Sequence, residues 1–232
     1  KTNRIPSTYG KIASKVLAKY RSISVSIKDS RVKAKEKVKS IYKNESTRTL
    51  NTFLRTFDSV RAIAKLTGAE VLVFPDTNSY LSYVKDKYGA KSAMAMSGTN
   101  GSMFGLTGDI LIDGSRNTLS ETSSVIAHEG FHSLMNYMTS SLSPEARLQV
   151  ARSVAKEIDK LITDGVIRFN SEASRNQFVN WLRRYKLVER PEEVVVDVLA
   201  RISTEDMFLD NYSAKSKAKW NEVFNNILDL IN

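Results

Sequence analysis

The chain holds two histidines in 232 residues, and they stand four apart, as His128 and His132 in the run His-Glu-Gly-Phe-His. On a helix, residues four apart share a face, so both imidazoles can address one ion. Neutral imidazole suits zinc. Glu129 is rotated off that face by one residue, which aims it at a water on the metal and not at the metal itself. That is the placement of a general base. The flanks sharpen the reading. The stretch VIAHEGFHSL carries no charge outside the motif, and Val125, Ile126 and Leu134 are apolar, as a buried catalytic helix requires. Gly130 costs about 1 kcal/mol in mid-helix, a local penalty expected where something packs closely. The bland alternative is two surface histidines beside a solvated acid. It has to treat the pairing of the only two histidines as accident.

Catalytic zinc usually has three protein ligands and a water. No third histidine exists, so the remaining ligand is expected to be a carboxylate. Residues 192–197 read Glu-Glu-Val-Val-Val-Asp, directly after Pro191. Glu193 and Asp197 are four apart on one helix. Glu193 can ligate the metal while Asp197 receives the ring N–H of His128. Glu192 in place of Glu193 is an open alternative. Another is that both glutamates merely complement the dipole in the first turn after Pro191. Asp197 lies beyond that turn, where the dipole account does not reach.

Composition bounds the rest. Hydrophobic residues make up 41% and charged residues 26%, an ordinary balance for a chain with a sizeable core. There are no cysteines, which excludes disulfide scaffolds, thiolate metal sites and cysteine nucleophiles. No uninterrupted apolar run approaches the ~20 residues of a membrane span. The start, KTNRIPSTYG, is polar and basic and does not read as a signal peptide; its opening Lys is expected of a processed fragment or a piece of a longer polypeptide. No GxGxxG or P-loop spacing supports nucleotide binding.

The net charge of +10 is unevenly spread: residues 1–66 carry +13 and residues 67–232 carry −3. This predicts a basic helical arm over 1–66 and a separate body over 67–232. Residues 1–43 alone carry +11. Such a segment can meet nucleic acid without reading its sequence, or another anionic surface, or it can be a solvated linker. Tyr9, Tyr20 and Tyr42 are too sparse for a base-stacking platform.

The elements that must position the motif follow from local signals. Residues 7–22 read as a short helix with Ser7 as a cap, and 30–66 as one long or broken helix ended by Gly68. EVLVF (70–74), SAMAM (92–96) and GDILID (108–113) are strand candidates, with SGTNGS between the last two as a turn. Asp76 caps a helix over SYLSYVKDKYG. Everything after 118 reads as helix. Thr118 and Glu121 have capping-box spacing and start a helix to about residue 139. Further starts lie at Ser143-Pro144, Ser171 and Pro191, and a last helix covers about 215–231. The fold class is α+β: a small sheet, then a helical bundle.

HEGFH followed by ExxxD some sixty residues on resembles the gluzincin branch of zinc metallopeptidases. The resemblance covers residues 67–232. It implies a zincin-like fold with a small mixed sheet and an active-site helix. It also implies zinc on His128, His132 and Glu193, Glu129 as base and Asp197 as orienter. GDILID before the capped helix is similar to the edge strand of that family, which pairs with an extended substrate. Many gluzincins stabilise the oxyanion with a downstream histidine or tyrosine. Here Tyr212 is the best candidate by order, with Arg201 and Tyr185 as alternatives. The texture of SVIAHEGFHSL and RPEEVVVDVLARI also looks like zincin domains embedded in large polyvalent proteins of phages and mobile elements.

The expectation is a zinc-dependent endopeptidase acting on a peptide or protein substrate. Zinc would polarise the scissile carbonyl and acidify a water, and Glu129 would take the water's proton and pass it to the leaving amine. The rival expectation is a catalytically silent zincin-fold module with a structural or DNA-delivery role in a virion or mobile-element protein.

Overall fold

The structure is a computed structural model that describes residues 17–104, 108–185, 190–204 and 207–209. Its architecture is α+β with a small mixed sheet, and the chain divides into two compact units, Lys1–Ile126 and Ala127–Asn232.

The first unit begins with helical residues 17–23 (α1), followed by β1 (Val25–Ser26), α2 (Arg31–Ile41) and α3 (Thr47–Thr67). β2 (Val71–Phe74), α4 (Thr77–Tyr88), α5 (Ala90–Met96), β3 (Gly101–Phe104) and β4 (Asp109–Asp113) complete it. The expected helix over 30–66 is broken into α2 and α3, and the Gly68 stop and the Asp76 cap fall on the predicted residues. Ser30, Ser46 and Asp76 each accept a backbone N–H at a helix start, and Gly68 ends α3 in the left-handed region at φ 74°. The strands pair in the order β1-β2-β4-β3, with β2 and β4 parallel and both outer pairings antiparallel.

Both faces of this sheet are covered, which explains why VLVF and ILI are apolar at every position. Val71, Val73, Ile110 and Ile112 pack under α2 and α3, while Leu72, Phe74 and Leu111 pack with Tyr80 and Tyr83 of α4. The turn after β4 is equally close-packed. A Cβ on Gly114 would sit 2.6 Å from the Phe74 carbonyl oxygen and 2.8 Å from the Tyr42 hydroxyl.

Four expectations are corrected here. Residues 92–96 are helix α5, not a strand: the two-residue alternation of SAMAM is outweighed by the helix preference of alanine and methionine. GDILID is not an edge strand, because β2 lies on one side of it and β3 on the other; the edges are β1 and β3, and β3 begins within the expected turn. The stretch after 118 is not all helix, since β5 (Ile167–Phe169) and β6 (Met207–Leu209) pair antiparallel. Finally, the described part of residues 1–66 is not a separate arm. Val25, Ile27, Ala34, Val38 and Phe53 share a core with β2 and β4, and β1 extends the sheet. Several of its cations are structural. Arg21 forms a two-point pair with Glu70 at 2.7 Å, and Lys37 Nζ donates to the carbonyls of Arg21 and Ser24 at 2.6 Å. Residues 1–16, with the Ser7 cap, and the expected helix over 215–231 lie outside the described residues.

Helix α6 (Leu119–Met138) carries the motif. Its capping box forms as predicted: Glu121 accepts from the Thr118 backbone N–H at 2.8 Å, and Thr118 Oγ1 accepts from the Glu121 N–H at 3.2 Å. The second unit adds α7 (Pro144–Thr163), α8 (Glu172–Tyr185) and α9 (Pro191–Ser203). Its core joins Met135 of α6 to Val154 and Ile158 of α7, Phe178 of α8 and all three consecutive valines of α9.

Candidate metal centre

Two helices of the second unit supply the site. The α6 turn that bears the motif is held by Phe131 and Met135, which pack into the core, and by the buried Ser133. His128 and His132 leave that turn on one face. Pro191 occupies the first turn of α9, where its missing N–H costs nothing, and so places Glu192 and Glu193 in the same turn. The buried valines behind them hold that turn in place.

Three ligand atoms converge. His128 Nε2 and His132 Nε2 are 3.2 Å apart, and Glu193 Oε2 lies 3.4 Å from the first and 3.5 Å from the second. This group can hold a metal ion. Ligand atoms that share one ion at about 2.0–2.4 Å lie about 3.0–3.5 Å apart, and the sides of the triangle are of that size.

Electrostatics agree with the geometry. Burial of His132 opposes its charge, but the carboxylates of Glu192 and Glu193 outweigh this and push its pKa up to about 10. The hydrogen bonds from His128 and His132 hold the Glu193 carboxyl well below the usual carboxylate range. A pair of facing ring nitrogens beside an ionised carboxylate is a site for a cation, whether proton or metal.

The expected residues distribute as follows. His128, His132 and Glu193 meet. Glu129 follows His128 on α6 and is half-buried. Asp197 does not take the His128 ring: it accepts from Arg201 Nε at 2.7 Å, one turn further along α9. Arg201 stands four residues on along the same helix, within reach by spacing alone, and its guanidinium holds the carboxylate. Arg201 also stacks its guanidinium over the Phe178 ring at 5.5 Å. Tyr185 is the last residue of α8, and Tyr212 lies outside the described residues.

The role of ring orienter falls to a residue that the sequence offered only as an alternative ligand. Glu192 Oε1 lies 3.0 Å from His132 Nδ1. Its signal was the doubled glutamate itself: neighbours on a helix diverge by about 100°, so two adjacent acids can approach one imidazole from two sides.

No family model, no curated protein and no solved structure matches the chain. The site is therefore read from its own atoms. Beside the cluster opens a cleft of about 430 Å³, bordered by His132, Glu192 and Glu193 and, from α7, by Pro144, Arg147 and Leu148. Its size is that of a small-ligand or side-chain pocket. Among the described residues, no helix is long and apolar enough to cross a membrane.

Proposed function

We propose that the chain is a zinc-dependent endopeptidase of gluzincin type, with a zincin-like fold. The observation that carries this reading is the triangle of His128 Nε2, His132 Nε2 and Glu193 Oε2, with sides of 3.2, 3.4 and 3.5 Å, on a helix that places Glu129 next to a ligand. Two imidazoles and one carboxylate are a protein ligand set that catalytic zinc uses, with water or substrate completing its coordination.

Zinc held by these three residues supplies a Lewis acid for a carbonyl oxygen and lowers the pKa of water from 15.7 to about 7. The remaining chemistry belongs to the chain. Glu192 accepts the Nδ1–H of His132 and so fixes the ring, and the proton that a metal would displace is the one on Nε2, at the triangle. Glu193 is ionised and needs no proton removed before it can ligate. Glu129 accepts a proton from the attacking water on a carboxylate oxygen and delivers it to the leaving amine nitrogen, so that one group serves as base and then as acid. The cleft beside the cluster receives part of the peptide.

The test joins metal content to turnover. Protein purified without added metal or a histidine tag is expected to hold or take up one zinc per chain and to cleave a random peptide library. Glu129→Gln is expected to keep the zinc and to lose cleavage by about 10²–10⁴-fold. Full cleavage by the Gln variant, or no zinc uptake by the native chain, overturns the reading.

A further inference from the structure

The cleft beside the metal cluster has an unusual wall. Arg147 reaches it from α7, and its guanidinium is anchored on two neutral acceptors. Nε donates to the Thr139 carbonyl at 2.8 Å and Nη1 to Asn136 Oδ1 at 3.2 Å. Among the described residues no carboxylate pairs with it, so its charge is oriented without being cancelled. Arg190, just before α9, borders the cleft as well. The other surfaces are aliphatic: Pro144, Leu148, Ala151 and Pro191. Glu192 and Glu193 border the cleft as well, but each is committed to histidine nitrogens at 3.0–3.5 Å.

A cationic head above aliphatic walls suits a ligand with a short apolar stem and a carboxylate at its end. A guanidinium with one amino group still available favours that partner over a neutral amide, because the bond is charge-assisted. A lysine side chain would meet like charge there. We propose that this cleft binds a carboxylate of the peptide substrate and that Arg147 is the residue that selects it. This rests on the peptidase reading for its substrate class. The carboxylate has two sources of the same chemistry, an acidic side chain or the free end of a peptide.

The test measures binding on the zinc-loaded Glu129→Gln chain, so that no turnover is needed. Four fluorescent pools of random octapeptides are titrated by anisotropy. Three are acetylated and amidated, with Glu, Gln or Lys fixed at one central position. The fourth fixes Gln there and leaves the C-terminal carboxylate free. The Glu pool or the free-carboxylate pool is expected to bind about tenfold tighter than the amidated Gln pool, with the Lys pool weakest. Which of the two wins identifies the source. Arg147→Gln is expected to bring all pools within about twofold, with zinc content unchanged. Because Arg147 also ties α7 to α6, Leu148→Glu provides a second arm. That side chain is 38% exposed on the cleft wall, and the new charge is expected to reverse the order of the Glu and Lys pools. Equal binding of the Glu, Gln and free-carboxylate pools, or an order unmoved by both variants, overturns the proposal. Failure of the peptidase reading looks different: the native chain cleaves no pool while the carboxylate preference and its loss in Arg147→Gln persist.

Discussion

Glu192 Oε1 stands 3.0 Å from Nδ1 of His132, on the opposite side of the ring from the nitrogen that faces His128 and Glu193. The two adjacent glutamates of α9 therefore act on one imidazole from two directions, one as a ligand neighbour and one as the group that fixes the ring. Removing such a partner typically lowers metal affinity by about 10–100-fold without removing a ligand. Glu192→Ala is expected to fall in that range in a chelator competition. Glu192→Gln, which retains an acceptor but no charge, is expected to lose less. The Glu192 side chain is 47% exposed, so unfolding does not account for the loss. Native affinity in the Ala variant would remove Glu192 from the site.

Asp197 supplies the converse. It accepts from Arg201 Nε at 2.7 Å and belongs to a helical pair, not to the metal centre. Asp197→Asn is expected to leave zinc affinity unchanged and to cost about 0.5 kcal/mol of stability, as one pair of this kind contributes. Zinc competition and a urea midpoint measured on the same preparation separate the two effects. A tenfold loss of zinc affinity would return Asp197 to the ring of His128.

These two residues mark where the sequence was legible. Features encoded within four residues came through: the capping box at Thr118 and Glu121, Pro191 opening α9, and the histidine pair itself. The choice among Glu192, Glu193 and Asp197 depends on how α9 is rotated against α6, which is set by the burial of its valines in a core drawn from several helices. No local pattern carries that rotation. The same holds for the sheet. That 71–74 and 109–113 are strands was readable from their apolar runs, but their neighbours were not, so β4 was expected at an edge that belongs to β3. The strand β5 is three residues long, too short for a period of two to register. The charge contrast at residue 66 misled for a physical reason: Arg21, Lys37 and Arg61 spend their charge on buried partners inside the sheet unit.

Tyr42 and Tyr83 form a contrasting pair in the first unit. Both are buried, and burial raises both phenols, Tyr42 to about 12. The Tyr42 hydroxyl lies 2.6 Å from Thr122 Oγ1, whereas the Tyr83 hydroxyl has no hydrogen-bond partner among the described residues. Tyr42→Phe strands the fully buried Thr122 hydroxyl and is expected to cost about 1–2 kcal/mol. Tyr83→Phe removes an unsatisfied group and is expected to be neutral or slightly stabilising. The sign of the pH effect follows from the raised Tyr42 value. The contribution of the neutral phenol is complete below the unfolded value of about 10 and is lost as pH rises from there through about 12. Urea midpoints between pH 8 and 11 should decline, and Tyr42→Phe should decline less steeply. Parallel curves would separate Tyr42 from the alkaline loss.

Metal removal has a local prediction. All three ligand atoms come from the unit Ala127–Asn232. An ion that binds only the folded state at 100 times its Kd adds about 2.7 kcal/mol to the structure that holds it. Hydrogen exchange resolves where that energy resides, because amides report the opening of their own cooperative segment. On adding a chelator, protection is expected to fall in residues 127–138 of α6 and in the first turns of α9, which carry the ligands. The amides of β2 and β4, whose partners are each other, are expected to keep theirs. His128→Ala should give the chelated pattern whether or not zinc is present. Protection that does not respond to the chelator, or that falls equally in β2 and α9, would mean that no ion ties the two helices together at this triangle.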